Sequence, residues 1–183
     1  GGIALVAQAG QALFDDVLVT PWVAMPTSCD GALPSSWIAE SGTLAKADGM
    51  PGWLSLTGSP EGRAVSGWEG GPAYEVRGAL RLGTAAQAGL VLRDTGPDSC
   101  YTVALREEAP GIQRACLVRS AREARQVLAE ISLPGSRDGE REIRARLSDA
   151  HIQVLVDGKM VWVKLPQVQG LTLPGGQSWI SLD

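Results

Sequence analysis

Asparagine is missing from all 183 residues. No Asn-X-Ser/Thr acceptor for N-glycosylation can exist, and no Asn-Gly turn can close a hairpin, so Gly, Pro and Asp must turn the chain. Histidine occurs once, as His151, in a strand-like segment where it reads as an ordinary sheet residue. With no Gly-X-Ser-X-Gly elbow elsewhere, a serine-nucleophile triad has no support. The three cysteines, Cys29, Cys100 and Cys116, show no CxxC spacing. That disfavours a structural zinc site and a disulfide framework, and at most one bridge can form. No apolar run approaches the roughly 20 residues of a membrane-spanning helix. Basic charge is not in excess either. The 16 Lys and Arg against 20 Asp and Glu leave a formal net charge of −4, which lacks the footprint of a nucleic-acid-binding surface. The start at Gly1-Gly2-Ile3, without a Met or a charged leader, reads as that of an excised or processed piece.

What is present is period-2 alternation. Ile143, Ala145 and Leu147 alternate with Glu142, Arg144 and Arg146, the pattern of a strand with one wet face. Ile152, Val154 and Val156 share the next apolar face, and Asp157-Gly158 supplies a two-residue turn before Lys159 to Leu165. Residues 150–166 are therefore predicted to form a hairpin closed by a type I′ turn. Further strands are expected at Trp53–Thr57, Ala73–Leu82, Gly89–Arg93, Cys100–Arg106, Ile112–Arg119 and Gln126–Leu133, separated by Gly, Pro and Asp clusters. Ser120–Glu130 has helix-forming composition, but its second half is read as strand. Many short strands with such punctuation predict an all-β, antiparallel sandwich or barrel, since each sheet must bury one face against another.

Two ends of the chain echo one another. Gly2-Ile3-Ala4-Leu5 matches Trp179-Ile180-Ser181-Leu182 at an offset of 180 − 3 = 177 residues. The segment Gln11 to Thr20, with Phe14-Asp15-Asp16-Val17 at its centre, resembles the closing strand of concanavalin A-like, laminin-G-like jelly rolls. That group includes family-16-glycoside-hydrolase-like and 3-keto-disaccharide hydrolase domains. Ser41 to Gly49 is similar to their opening strand, Ala88–Arg93 with Tyr101–Leu105 to their central pair, and Ile152–Val163 to their Val-X-Val-Asp-Gly hairpin. The resemblance covers residues 1–21 and 37–183 and implies a single two-sheet antiparallel jelly-roll sandwich: 1–21 as closing strands, 22–36 as linker and 37–183 as body. The closing strands stand at the wrong end. Either the piece comes from a tandem array with neighbouring repeats, or the domain is circularly arranged, or its first strands complete another copy by strand addition.

The resemblance implies an extracellular or periplasmic location and three kinds of chemistry to weigh. The Glu-X-Asp-X-X-Glu strand of the related endoglucanases is absent. Glu107-Glu108 and Glu140 with Glu142 read as solvated charge, which leaves Glu61 and Glu69 as the remaining acidic candidates for a glycoside-acting hydrolase. In calcium-binding members the acidic residue of the closing strand holds a structural Ca²⁺, and by position that residue is Asp15. Sugar rings stack on flat aromatic faces, for which Trp68, Tyr74 and Tyr101, with Arg93 beside them, are the candidates. The function expected first is a non-catalytic recognition or adhesion module binding a glycan or a protein partner. A glycoside hydrolase and an accessory subunit assembling by strand complementation are the alternatives.

Overall fold

The computed structural model describes residues 2–20, 37–66, 74–94, 99–121, 124–147 and 151–164. They form twelve strands and no helix. In chain order these are β1 (Gly2–Thr20), β2 (Trp37–Ser41), β3 (Thr43–Lys46), β4 (Leu54–Ser66), β5 (Tyr74–Arg81) and β6 (Gln87–Asp94), followed by β7 (Ser99–Ala109), β8 (Ile112–Ala121), β9 (Ala124–Pro134), β10 (Arg141–Leu147), β11 (His151–Val156) and β12 (Lys159–Lys164). All pairings are antiparallel, in one hydrogen-bonded sheet ordered β12-β11-β10-β5-β1-β6-β7-β8-β9, with β4 also on β1 and carrying β2 and β3.

The first strand organises the rest. Residues Ala4–Gln8 lie between β4 and β6, whereas from Leu13 onward β5 takes the place of β6, with β4 still paired as far as Phe14. The neighbour changes because β1 bends at Ala9 and Gly10, with φ of 52° and 154°. The β5–β6 connection packs into the bend: the N–H groups of Thr84 and Ala85 donate to the Gln11 carbonyl, both at 3.0 Å, and that of Ala86 to the Gln8 carbonyl at 2.9 Å. Gly10 is required there, since a Cβ would sit 2.5 Å from the Thr84 carbonyl oxygen. The arch divides the sheet into one arm of β6 to β9 and another of β5, β10, β11 and β12, whose outermost strands approach each other. The result is a curled half-barrel.

Alternation then decides the core. Ile3, Leu5, Ala12 and Phe14 of β1 face inward with Leu90, Leu92, Val103, Leu105 and Leu117 of one arm. Val76, Leu80, Ile143, Ala145, Leu147, Ile152, Val154 and Val156 of the other arm join them in a single buried cluster. The predicted faces of β10 and β11 are therefore the buried ones. Asp157 and Gly158 both take positive φ, 50° and 72°, as a type I′ turn demands. Ser120–Glu130 contains no helix in its described part: Ala124 onward is strand, paired with β8, because sheet partners on an open edge override a mild helix propensity. The predicted strands Gly89–Arg93, Cys100–Arg106, Ile112–Arg119 and Gln126–Leu133 lie within longer ones, whereas β4 starts one residue after the predicted Trp53 and β5 stops at Arg81, one short of the predicted Leu82, with Ala73 outside the described residues. The largest extension is in β4, which runs to Ser66 across Gly58 and Gly62.

At the arch end, buried Arg141 ties four elements together. Its Nε donates to Gln113 Oε1 at 2.6 Å, Nη1 to Asp157 Oδ2 at 2.5 Å, and Nη2 to the Pro134 carbonyl. Gln113 in turn donates through Nε2 to the Ser136 carbonyl at 2.6 Å. The opposite end of the half-barrel, where Ser66, Tyr74, Asp94, Ser99, Ala121, Ala124, Leu147 and His151 terminate their strands, is called the rim below.

Candidate ligand-binding rim

Three of the residues singled out for ligand contact meet at the rim. Tyr74 opens β5 on the inward face, is 6% exposed and belongs to the core. Its ring is thus structural, while its hydroxyl oxygen accepts the backbone N–H of Arg93 at 2.8 Å. Arg93, near the end of β6, is half-buried and has a φ of 51°. On β7, Tyr101 sits opposite Leu92, in step with inward Val103 and Leu105, and its half-buried ring packs on the core. Trp68 lies outside the described residues.

A fourth residue joins them. Arg119 of β8 is directly opposite Tyr101, which brings the two side chains to neighbouring positions on one face. Counting by twos from Leu117 gives that face from the sequence alone; Arg119 escapes notice there because an arginine near a strand end looks like surface charge. Burial raises the Tyr101 hydroxyl above its ordinary pKa, and the positive charges of Arg119 and Arg93 work against that rise. The phenol is therefore a protonated donor at neutral pH. Gln126 of β9, opposite Arg119 and exposed, adds an amide to the same face. Arg119 has no carboxylate partner among the described residues.

The rim thus offers a half-buried phenol ring, its hydroxyl, guanidinium donors and an amide. Those groups bind hydroxyl- and oxyanion-bearing ligands; they do not constitute an acid–base pair. Five of the six acidic residues considered for catalysis have described partners. Glu61 Oε2 accepts a hydrogen bond from Gln8 Nε2 at 2.9 Å, and Glu69 lies outside the described residues. Glu140 and Glu142 pair with Arg81 and Arg77 at 3.1 and 2.8 Å, while Glu107 and Glu108 pair with Arg137 and Arg114.

Asp15 is half-buried on β1, where the register with β5 shifts between Asp15 and Leu18. Among the described residues no group of three or more His, Cys, Asp or Glu side chains is placed to hold a metal ion around it or elsewhere. Of the other indoles, Trp37 and Trp53 are buried, the second stacked under Arg81 with 4.5 Å from guanidinium carbon to ring centroid. A cavity of about 460 Å³ lies beyond the arch end, lined by Gln11, Thr43, Lys46, Met50, Ser55 and Thr57. Two of its polar groups are already mutually satisfied, Gln11 Nε2 donating to Ser55 Oγ at 2.6 Å. Compared with family models, curated proteins and solved structures, the chain matches none.

Proposed function

We propose that the chain is a non-catalytic recognition module that binds a glycan at the rim, on a sheet folded as a two-layer jelly roll of the concanavalin A-like kind. The observation that carries this reading is the placement of Tyr101, a half-buried ring with a protonated hydroxyl, beside Arg93 and Arg119. A sugar presents one apolar ring face and a fringe of hydroxyls, which a phenol with flanking donors matches. Support for the two-layer architecture comes from the shared core of the two arms, whose inward residues pack on one another. A hydrolase would need two carboxyl groups about 5 to 10 Å apart at the ligand. The side chains grouped around Tyr101, two guanidiniums and an amide with the phenol itself, favour binding without chemistry.

Calorimetric titration with a panel of neutral and acidic tetrasaccharides tests the proposal. Tyr101→Phe keeps the packing ring and removes the hydroxyl, and is expected to weaken binding about 3- to 10-fold, the equivalent of one hydrogen bond. Absence of binding by the unaltered protein to every member of the panel would overturn it.

A further inference from the structure

We infer that the outer edge of β9 docks a second copy of this chain, the two β9 strands pairing antiparallel about a twofold axis that sets Arg125 of each copy opposite Glu130 of the other. Such assembly does not depend on the glycan-binding reading.

The edge of β9 is long and carries no lysine. Among the described residues four strands lack a neighbour on one side: β2, β3, β9 and β12. Three of them are blunted in the ways that keep an exposed edge from pairing. β2 and β3 have 5 and 4 residues and β12 has 6, and the chain's lysines, Lys46, Lys159 and Lys164, all lie on β3 and β12. β9 runs for 11 residues, with its one proline, Pro134, at the end. β12 approaches it without hydrogen bonding to it, so the outer backbone groups of β9 are unpaired among the described residues. Ala124–Val127 are exposed, Val127 to 55%.

Register makes that edge complementary to itself. β8 and β9 slip between Leu117 and Val118: Leu117 lies opposite Ala129 but Val118 opposite Val127, which leaves Leu128 as an extra residue. An extra residue flips the alternation beyond it. Arg125 is opposite Ser120 and Glu130 opposite Cys116, positions of β8 that share the outward face, so Arg125 and Glu130 share it too. In a regular strand the same two residues would face opposite ways. An antiparallel pairing that sets Val127 opposite Leu128 of the second copy also sets Gln126 opposite Ala129 and Arg125 opposite Glu130, like face to like face. By symmetry each pair occurs twice. Residues 124–131 hold no other charge, so no like charges meet. Arg125 has no ion-pair partner among the described residues, and the Glu130 side chain, 2.9 Å from Arg114 through Oε1, is 48% exposed. Backbone hydrogen bonds along the edge supply the attraction, and the two charge pairs fix the register.

Sedimentation equilibrium of the unaltered chain, Arg125→Glu and Glu130→Arg, and of the two variants mixed in equal amounts, tests this, with thermal melting of each protein at one dilute concentration. The unaltered chain is expected to be a dimer in the micromolar range. Each variant turns two opposite-charge pairs into two like-charge pairs and is expected to raise the dissociation constant at least about 10-fold. Mixed, the variants are expected to associate with one another, because every cross-strand charge pair of the mixed dimer is again opposite in sign. Glu130→Arg also removes the ion pair to Arg114, whereas Arg125→Glu removes none and is expected to leave the melting temperature of the dilute protein unchanged. A monomer at every concentration up to millimolar overturns the inference. A dimer that Arg125→Glu leaves intact overturns the assignment to β9, and failure of the mixed variants to associate overturns the charge register.

Discussion

Asp157 shows how one side chain can serve two purposes that the sequence presents as one. In the sequence it is a turn residue, the first half of Asp-Gly. In the structure its carboxylate also faces Arg141 Nη1 at 2.5 Å and accepts the N–H of Glu142 at 3.0 Å. Arg141 is 8% exposed, and Gly135 leaves room for its guanidinium, since a Cβ there would collide with Nη2. A charge this deep is tolerated only with its donors satisfied, and removing one partner leaves the other stranded. Arg141→Met is therefore expected to cost about 2–4 kcal/mol in urea unfolding, near the lower end for a buried pair because Asp157 keeps contact with solvent. Asp157→Asn separates the two roles: Asn-Gly suits the turn at least as well, so any loss reports the ion pair to Arg141. Equal stability of Asp157→Asn and the unaltered chain would show that the pair contributes nothing.

Between elements, the outward face of β5 and β10 is laced by charge. Glu75 lies opposite Arg146 and also meets Arg144 at 2.8 Å. Burial pushes the Glu75 carboxyl up, but hydrogen bonds and charge from Arg146 and Arg144 outweigh this and leave it below its ordinary value of 4.5. A carboxyl with a depressed folded pKa contributes stability that is fully present above the unfolded value. That stability is lost as pH falls through the folded pKa. Glu75→Gln should thus lower the melting temperature at pH 7, and the gap to the unaltered chain should narrow as pH falls below about 4.5. A gap independent of pH would refute the ion-pair origin. Elements differ in how far the sequence discloses them. The β11–β12 hairpin is legible because both strands and the turn lie within a few residues. The arch of β1 is not, because its cause is an approach by residues 84–86, more than seventy positions away, and Gly10 in isolation looks like a strand break. The same locality limits the site. Tyr74, Arg93 and Tyr101 carry visible chemistry, whereas the convergence of Arg119 on Tyr101 depends on the β7–β8 register.

At the scale of the whole molecule, the two arms share one core, and this has a consequence for the buried thiols. Cys100 lies with Ala4, Val6 and Val91 in an outward cluster over β1 and β6, and Cys116 sits mid-strand in β8. Burial raises the Cys116 thiol, which keeps the reactive thiolate scarce. Both strands belong to the β6–β9 arm, whose inward residues Leu90, Val103, Leu105 and Leu117 pack on those of the other arm. Exposing either thiol by opening that arm therefore removes the support of the whole core, and unfolding should be all-or-none. In a Cys29→Ser background, which restricts the count to these two positions, an aromatic disulfide reagent should leave Cys100 and Cys116 unlabelled in native buffer. As urea is raised, labelling should follow the same midpoint as tryptophan fluorescence. Labelling of Cys116 at distinctly lower urea, with fluorescence unchanged, would mean that β8 and β9 open as a separate unit. The shared core would then not couple the two arms.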